Sequence, residues 1–142
     1  LARGIGEKLT PLPTPRFHAV VVNPKIGLST KEVYGWYDAL RPSPKSLTNP
    51  AKIRKIASLI KLGKSPKDWS GFIYNCFEAA VFNKVPEIAQ VKKALLAQGA
   101  FAALLTGSGS AIFGLVRSKL DGERIGRAMR NMGLEAWPVR SV

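Results

Sequence analysis

Apolar and polar positions along the chain alternate with more than one period. The run FHAVVVN at 17–23 is continuous and β-branched and is closed by Pro24, the composition of a buried strand. Ser29 and Thr30 then offer an N-cap, with Glu32 in the first turn, for a helix carrying Val33, Tyr34, Trp36, Tyr37 and Leu40. AKIRKIASLIKLG at 51–63 is a basic helix, with Ile53, Ile56, Ala57, Leu59 and Ile60 on one stripe and Lys52, Arg54, Lys55 and Lys61 outside it. A further helix is predicted over 69–84, and another from Pro86, closed by Gly99. The period then shortens. AFAALLT and SAIFGLV are two apolar runs joined by small residues, which predicts an antiparallel hairpin. Residues 120–132 form an amphipathic helix with Gly133 behind it, and LEAWPVRSV ends as a short strand whose Pro138 favours a sheet edge.

The resulting order is β-α-β-β-α-β with extra helices in the first crossover: an α+β sandwich of ferredoxin-like type. Residues 1–16, with their glycines and prolines, read as an extended lead-in or edge hairpin, and residues 17–142 as one domain. The segment RPSPKSLTNP at 41–50 is a proline-rich loop. A chain of 142 residues buries roughly 70% of its unfolded surface in a single core. No apolar run approaches the roughly 20 residues that span a bilayer, so no membrane partner is expected.

Charge changes the picture more than size does. Lys and Arg number 22 against 9 Asp and Glu, a net charge of +13 that favours anionic partners without choosing among them. One cysteine, Cys76, excludes an internal disulfide framework, and with one histidine, His18, it excludes the common Cys/His zinc sites. That usage fits a cytoplasmic protein. Cys76 falls inside the helical pattern FIYNCFEAAVF, where a small buried thiol is the usual role, and His18 falls in a strand, packed or paired there. Asp38, Asp68 and Asp121 belong to no motif and read as solvated helix or loop residues.

The candidate chemistry lies in Thr106, Gly107, Ser108, Gly109 and Ser110, between the two hairpin strands. Successive free amides and hydroxyls in a glycine-permitted bend suit an anion; a plain hydrophilic hairpin loop has the same composition. A nucleotide-binding P-loop would place Gly-Lys-Ser/Thr after the glycines, whereas Ala111 and Ile112 follow Ser110. Ser108 has Thr106 and Ser110 where a nucleophile elbow needs glycines, and a strand follows where a dinucleotide fingerprint needs a helix.

LLTGSGSAIFGLV, with NCFEAAVF about thirty residues earlier and Gly99-Ala100 between them, resembles the C-terminal domain of the GHMP small-molecule kinases. ARGIGEKLTPL, VVVNPKIGLSTKEVY and the Asn75, Phe77, Glu78 set narrow the likeness to members that phosphorylate a substrate bearing cytidine diphosphate in non-mevalonate isoprenoid synthesis. The resemblance implies ATP and Mg2+ as cofactors. It implies an N-terminal domain that supplies the phosphate loop, the catalytic lysine and the catalytic aspartate. None of those motifs is found in the 142 residues, so no catalytic residue is assigned and the 142 residues alone are expected to be inactive. Leu1 is expected to begin just after that aspartate.

By the same resemblance, residues 106–110 border the transferring phosphate, and Tyr34, with Thr30 one turn before it, faces the substrate's cytosine. Asn75, Phe77 and Glu78 are expected below the loop as packing and capping groups. Arg3, Gly4, Gly6 and Glu7 are expected in an inter-domain hairpin. The expected setting is cytoplasmic, or plastid stroma for a plant source. A non-catalytic ligand-sensing domain of the same fold is one alternative reading, and two others stay open. One is a GHMP member of the homoserine or mevalonate kinase type. The other is a basic ferredoxin-like nucleic-acid module, although the paired aromatics of an RNA-binding sheet are absent from AFAALLT and SAIFGLV.

Overall fold

The structure, a computed structural model, describes residues 1–3, 7–40 and 50–142; of Arg3 only the backbone is described. Gly4, Gly6 and nearly all of the 41–50 loop lie outside these residues. Strands β1 (Ala2–Arg3) and β2 (Lys8–Leu9) pair as a short antiparallel hairpin, with Ala2 opposite Leu9. The main sheet contains β3 (His18–Asn23), β4 (Ala102–Leu105), β5 (Ile112–Val116) and β6 (Glu135–Arg140). Its order is β4-β5-β3-β6, with every neighbouring pair antiparallel. This is the ferredoxin-like order that the element sequence predicts, and β6 with its Pro138 is indeed an edge.

Alternation along β3 assigns the two faces. Val20 and Val22 enter the main core with Leu105, Ile112, Ile125 and Met129, while Ala19 points the other way. Helices α1 (Thr30–Ala39), α4 (Glu78–Lys84), α5 (Pro86–Ala97) and α6 (Lys119–Asn131) supply Val33, Val81, Ile88, Leu95 and Ile125 to that core. Each such side chain, fully removed from water, contributes about 1.5–3 kcal/mol. On the opposite face, α2 (Pro50–Lys61), α3 (Pro66–Trp69) and a 3-10 turn (Ser70–Phe72) lead into Ile73; Trp69, Leu59, Ile60 and Ile73 pack around Ala19 and Leu115. The central strands are therefore covered on both sides.

One predicted element is corrected. The helix expected over 69–84 is broken into α3, the 3-10 turn, an extended link and α4. Trp69, Ile73, Phe77 and Val81 recur every four residues and imitate a single helical stripe. Trp69 and Ile73, however, belong to the outer cluster, and Phe77 and Val81 to the main core. No straight helix serves opposite faces of a sheet, so the chain extends at Ile73 (ψ 141°) and starts again. Cys76 consequently sits in the turn before α4, half-buried, instead of inside a helix.

Two of the unassigned aspartates have local jobs. Asp68 and Asp121 each close the first turn of a helix on a serine three residues earlier: Ser65 hydroxyl to Asp68 at 2.7 Å, Ser118 hydroxyl to Asp121 at 3.0 Å.

Candidate functional site

Thr106 starts the β4–β5 connection and closes it on Ala111, its amide and hydroxyl both donating to the Ala111 carbonyl at 2.9 and 3.1 Å. Inside that closure the Gly109 amide donates back to Thr106 at 2.8 Å. Gly107 (φ +52°) and Gly109 (φ +91°) take left-handed conformations that other residues adopt only under strain. At Gly109 a Cβ would also lie 3.0 Å from Leu105 Cδ1 and 3.2 Å from Leu28 Cδ1. At Gly107 a Cβ would meet open space. The loop thus presses one side onto the domain and presents the other outward. Among the described residues, the amides of Gly107, Ser108 and Ser110 have no hydrogen-bond partner.

Asn75 is the main brace. Its amide nitrogen donates to the carbonyls of Leu105 (2.8 Å) and Gly107 (2.7 Å), while its oxygen accepts from the Phe77 amide at 2.9 Å and so turns the chain into α4. Glu78 adds a second brace. One of its oxygens accepts from the Leu105 amide at 3.0 Å, and the other pairs with Lys92 at 2.7 Å, largely shielded from water. The expectation of capping groups under the loop matches this geometry. Lys92 carried no signal beyond being a cation inside the apolar stretch QVKKALL.

The third wall comes from α1. Ser29 occupies its N-cap without a side-chain bond, and the neighbouring Thr30 hydroxyl lies 3.0 Å from that of Ser108, joining the helix start to the glycine loop. One turn on, Tyr34 is 53% exposed and rests edge-on against Phe77, centroids 4.8 Å apart; Tyr37 also meets Phe77 edge-on, at 5.4 Å. The structure thus gathers Thr30, Tyr34 and residues 106–110 at one end of the sheet. A shallow groove of about 500 Å3, lined by Tyr74, Cys76, Thr106, Gly107 and Phe113, runs beside the loop.

Free amides, two hydroxyls and an exposed, supported ring suit a phosphate and an aromatic group. They do not suit a metal. The one carboxylate under the loop, Glu78, is taken by Leu105 and Lys92, and among the described residues no group of three or more His, Cys, Asp or Glu gathers. No helix of the described residues is long and apolar enough to cross a membrane.

A ferredoxin-like sandwich with a braced glycine-serine loop at one sheet end is the class of domain these features define. The family model for the C-terminal domain of GHMP kinases matches residues 56–134, and the chain belongs to that family. It is 33% identical to 4-diphosphocytidyl-2-C-methyl-D-erythritol kinase of Symbiobacterium thermophilum, over 98% of this chain and 48% of the relative. It superposes on a crystal structure of 4-(cytidine 5'-diphospho)-2C-methyl-D-erythritol kinase with a TM-score of 0.75, 31% identity and coverage of 98% of this chain and 48% of that one. The mevalonate kinase of L. major shares the fold (TM-score 0.69) at 16% identity, over 92% of this chain and 44% of that one. The chain spans about half the length of the relatives it matches.

Proposed function

We propose that the chain is the substrate-side half of an ATP-dependent kinase that phosphorylates an alcohol of 4-diphosphocytidyl-2-C-methyl-D-erythritol in the cytoplasm. Two-domain phosphoryl transfer relies on positioning and on stabilising charge at the transferred group. In this reading the Gly107–Gly109 bend borders the transferred phosphate, Thr30 holds the bend through Ser108, and Tyr34 stacks on the substrate's cytosine. A partner domain supplies the catalytic lysine, the aspartate and the ligands for Mg2+. ATP brings the phosphoryl group. The β1–β2 hairpin is then the connection between the two domains.

The observation that carries the proposal is the convergence of Thr30, Tyr34 and the twice-braced loop on one edge, in a chain matched along 98% of its length by a relative with that activity. Packing of Phe101 and Phe113 against the Trp69 layer supports it over an RNA-binding sheet, which needs such rings exposed. Assay of the full-length protein with ATP and, in turn, the cytidine-bearing alcohol, homoserine and mevalonate tests it. Turnover of the first alone is expected; preference for either of the others would overturn the substrate.

A further inference from the structure

The opposite end of the sheet carries a feature that the proposed kinase chemistry does not use. β3 begins at His18, which pairs with Val116 of β5 and Arg140 of β6, roughly 14 Å of strand away from the glycine loop. There a cavity of about 360 Å3 is lined by Arg16, His18, Lys67 and Arg117, with Phe17 and Phe101 among its apolar walls. We propose that this cavity is a second ligand site, taking a small phosphorylated compound, either a phosphomonoester or a diphosphate.

Charge is the first argument. No carboxylate lines the cavity, and the adjoining hollow, which shares Arg16 and His18, adds Arg140. The ion pairs of the described residues engage Lys25, Lys92, Lys119 and Arg124, none of which lines this cavity. Asp68, next to Lys67, lies outside the lining and is held by the Ser65 amide and hydroxyl at 2.9 and 2.7 Å. Several cations thus line one hollow whose other walls are partly apolar, which raises the positive potential in the space between them. Two arginine forks add the planar geometry that matches phosphate oxygens.

Rigidity is the second argument. Ser141 receives the Phe17 amide (2.9 Å) and donates to the Pro15 carbonyl (2.9 Å), with its own amide on the Phe17 carbonyl (3.0 Å), so the backbone is anchored on both sides of Arg16. The Phe17 ring packs edge-on against Trp69, centroids 6.3 Å apart, and Trp69 is 7% exposed. A site prepared in this way spends less ordering entropy on binding. Its volume lies in the range of roughly 300–1,000 Å3 common to small-molecule sites. Phe17 and Phe101 are half-buried against the outer cluster, and a hollow of about 360 Å3 has room for a small ligand and not for the successive bases that a polynucleotide stacks.

His18 provides a local reporter. Inorganic pyrophosphate titrated into the full-length protein at about 150 mM salt is expected to shift the His18 ring-proton resonances, assigned with His18→Gln, with half-saturation below about 1 mM. Arg117→Glu and Lys67→Glu, both exposed and each checked for native circular dichroism, should each raise half-saturation about tenfold or more. Lys55→Glu, the same charge change on α2 outside the cavity, should leave it within about twofold. The site is refuted by absence of any shift up to about 10 mM pyrophosphate, or by equal weakening from Lys55→Glu and the two cavity variants. It is equally refuted if a single-stranded RNA oligonucleotide moves the His18 signals at lower concentration than pyrophosphate does. Since no readout involves phosphoryl transfer, failure here leaves the kinase reading standing, and failure of that reading leaves this one.

Discussion

The two ends of the four-stranded sheet use polar side chains in opposite ways. At the glycine-loop end Asn75 and Glu78 are spent on backbone groups, Lys92 on Glu78, and Thr30 on the Ser108 hydroxyl. At the His18 end Arg16, Lys67 and Arg117 line one hollow and Arg140 the adjoining one, with no carboxylate at ion-pair distance from them among the described residues. Satisfied networks make a loop rigid, and unspent charges make a surface receptive. The first arrangement suits a boundary that must stay in place during a reaction. The second suits a surface that waits for a counter-charge.

The sharpest way to break this contrast is Gly109→Val in the full-length protein. The new side chain would meet Leu105 and Leu28 at a φ of +91°, so the bend must move. A shift of about 1 Å costs roughly 100-fold in turnover when a group borders the reaction. Steady-state kinetics with circular dichroism as the folding control measures it, and unchanged turnover would remove the loop from the site.

Asn75→Ala comes next, because it leaves the carbonyls of Leu105 and Gly107 without their partner. Urea denaturation should show a loss of about 2 kcal/mol, whereas Arg117→Glu at the other end should stay within about 0.5 kcal/mol of the parent. Equal losses would dissolve the distinction between a braced end and an open one. Tyr34→Ala should raise KM for the cytidine-bearing alcohol about tenfold and leave KM for ATP within about twofold, as expected for one lost stacking contact. An equal effect on both substrates would count against stacking.

The smallest effect belongs to Asp68, beside the basic cavity. Hydrogen bonds from the Ser65 hydroxyl and amide, with Lys64 and Lys67 nearby, hold its carboxyl below the ordinary 3.8. The folded state therefore binds this proton less readily than the unfolded one. Its stabilising contribution is present above about pH 4 and fades as the pH falls further. Asp68→Asn should lower the melting temperature slightly at pH 7, and the gap to the parent should narrow as the pH falls below about 4. A gap independent of pH would show that the charge does not matter.

Much of the framework was legible in the chain. The β-branched run at 17–23, the paired apolar runs around residues 106–110 and the amphipathic 120–132 stretch each gave the right element, because alternation and helical periods are local properties. Asn75 and Glu78 were recognisable as groups belonging beneath the loop. The 69–84 stretch misled for an equally physical reason: spacing by four reports that residues share a stripe and says nothing about which core that stripe meets.

What the sequence by itself determined was the order of strands and helices, the small-residue bend and the excess of positive charge. Tertiary structure alone decided that Thr30 meets Ser108 across 78 residues, that Trp69 and Phe77 serve opposite faces, and that Arg16, Lys67, Arg117 and Arg140 gather at one sheet end. Local patterns follow from the geometry of neighbouring residues. Meetings between distant ones follow from which strand lies beside which and where each begins, and that is settled only when the whole core closes.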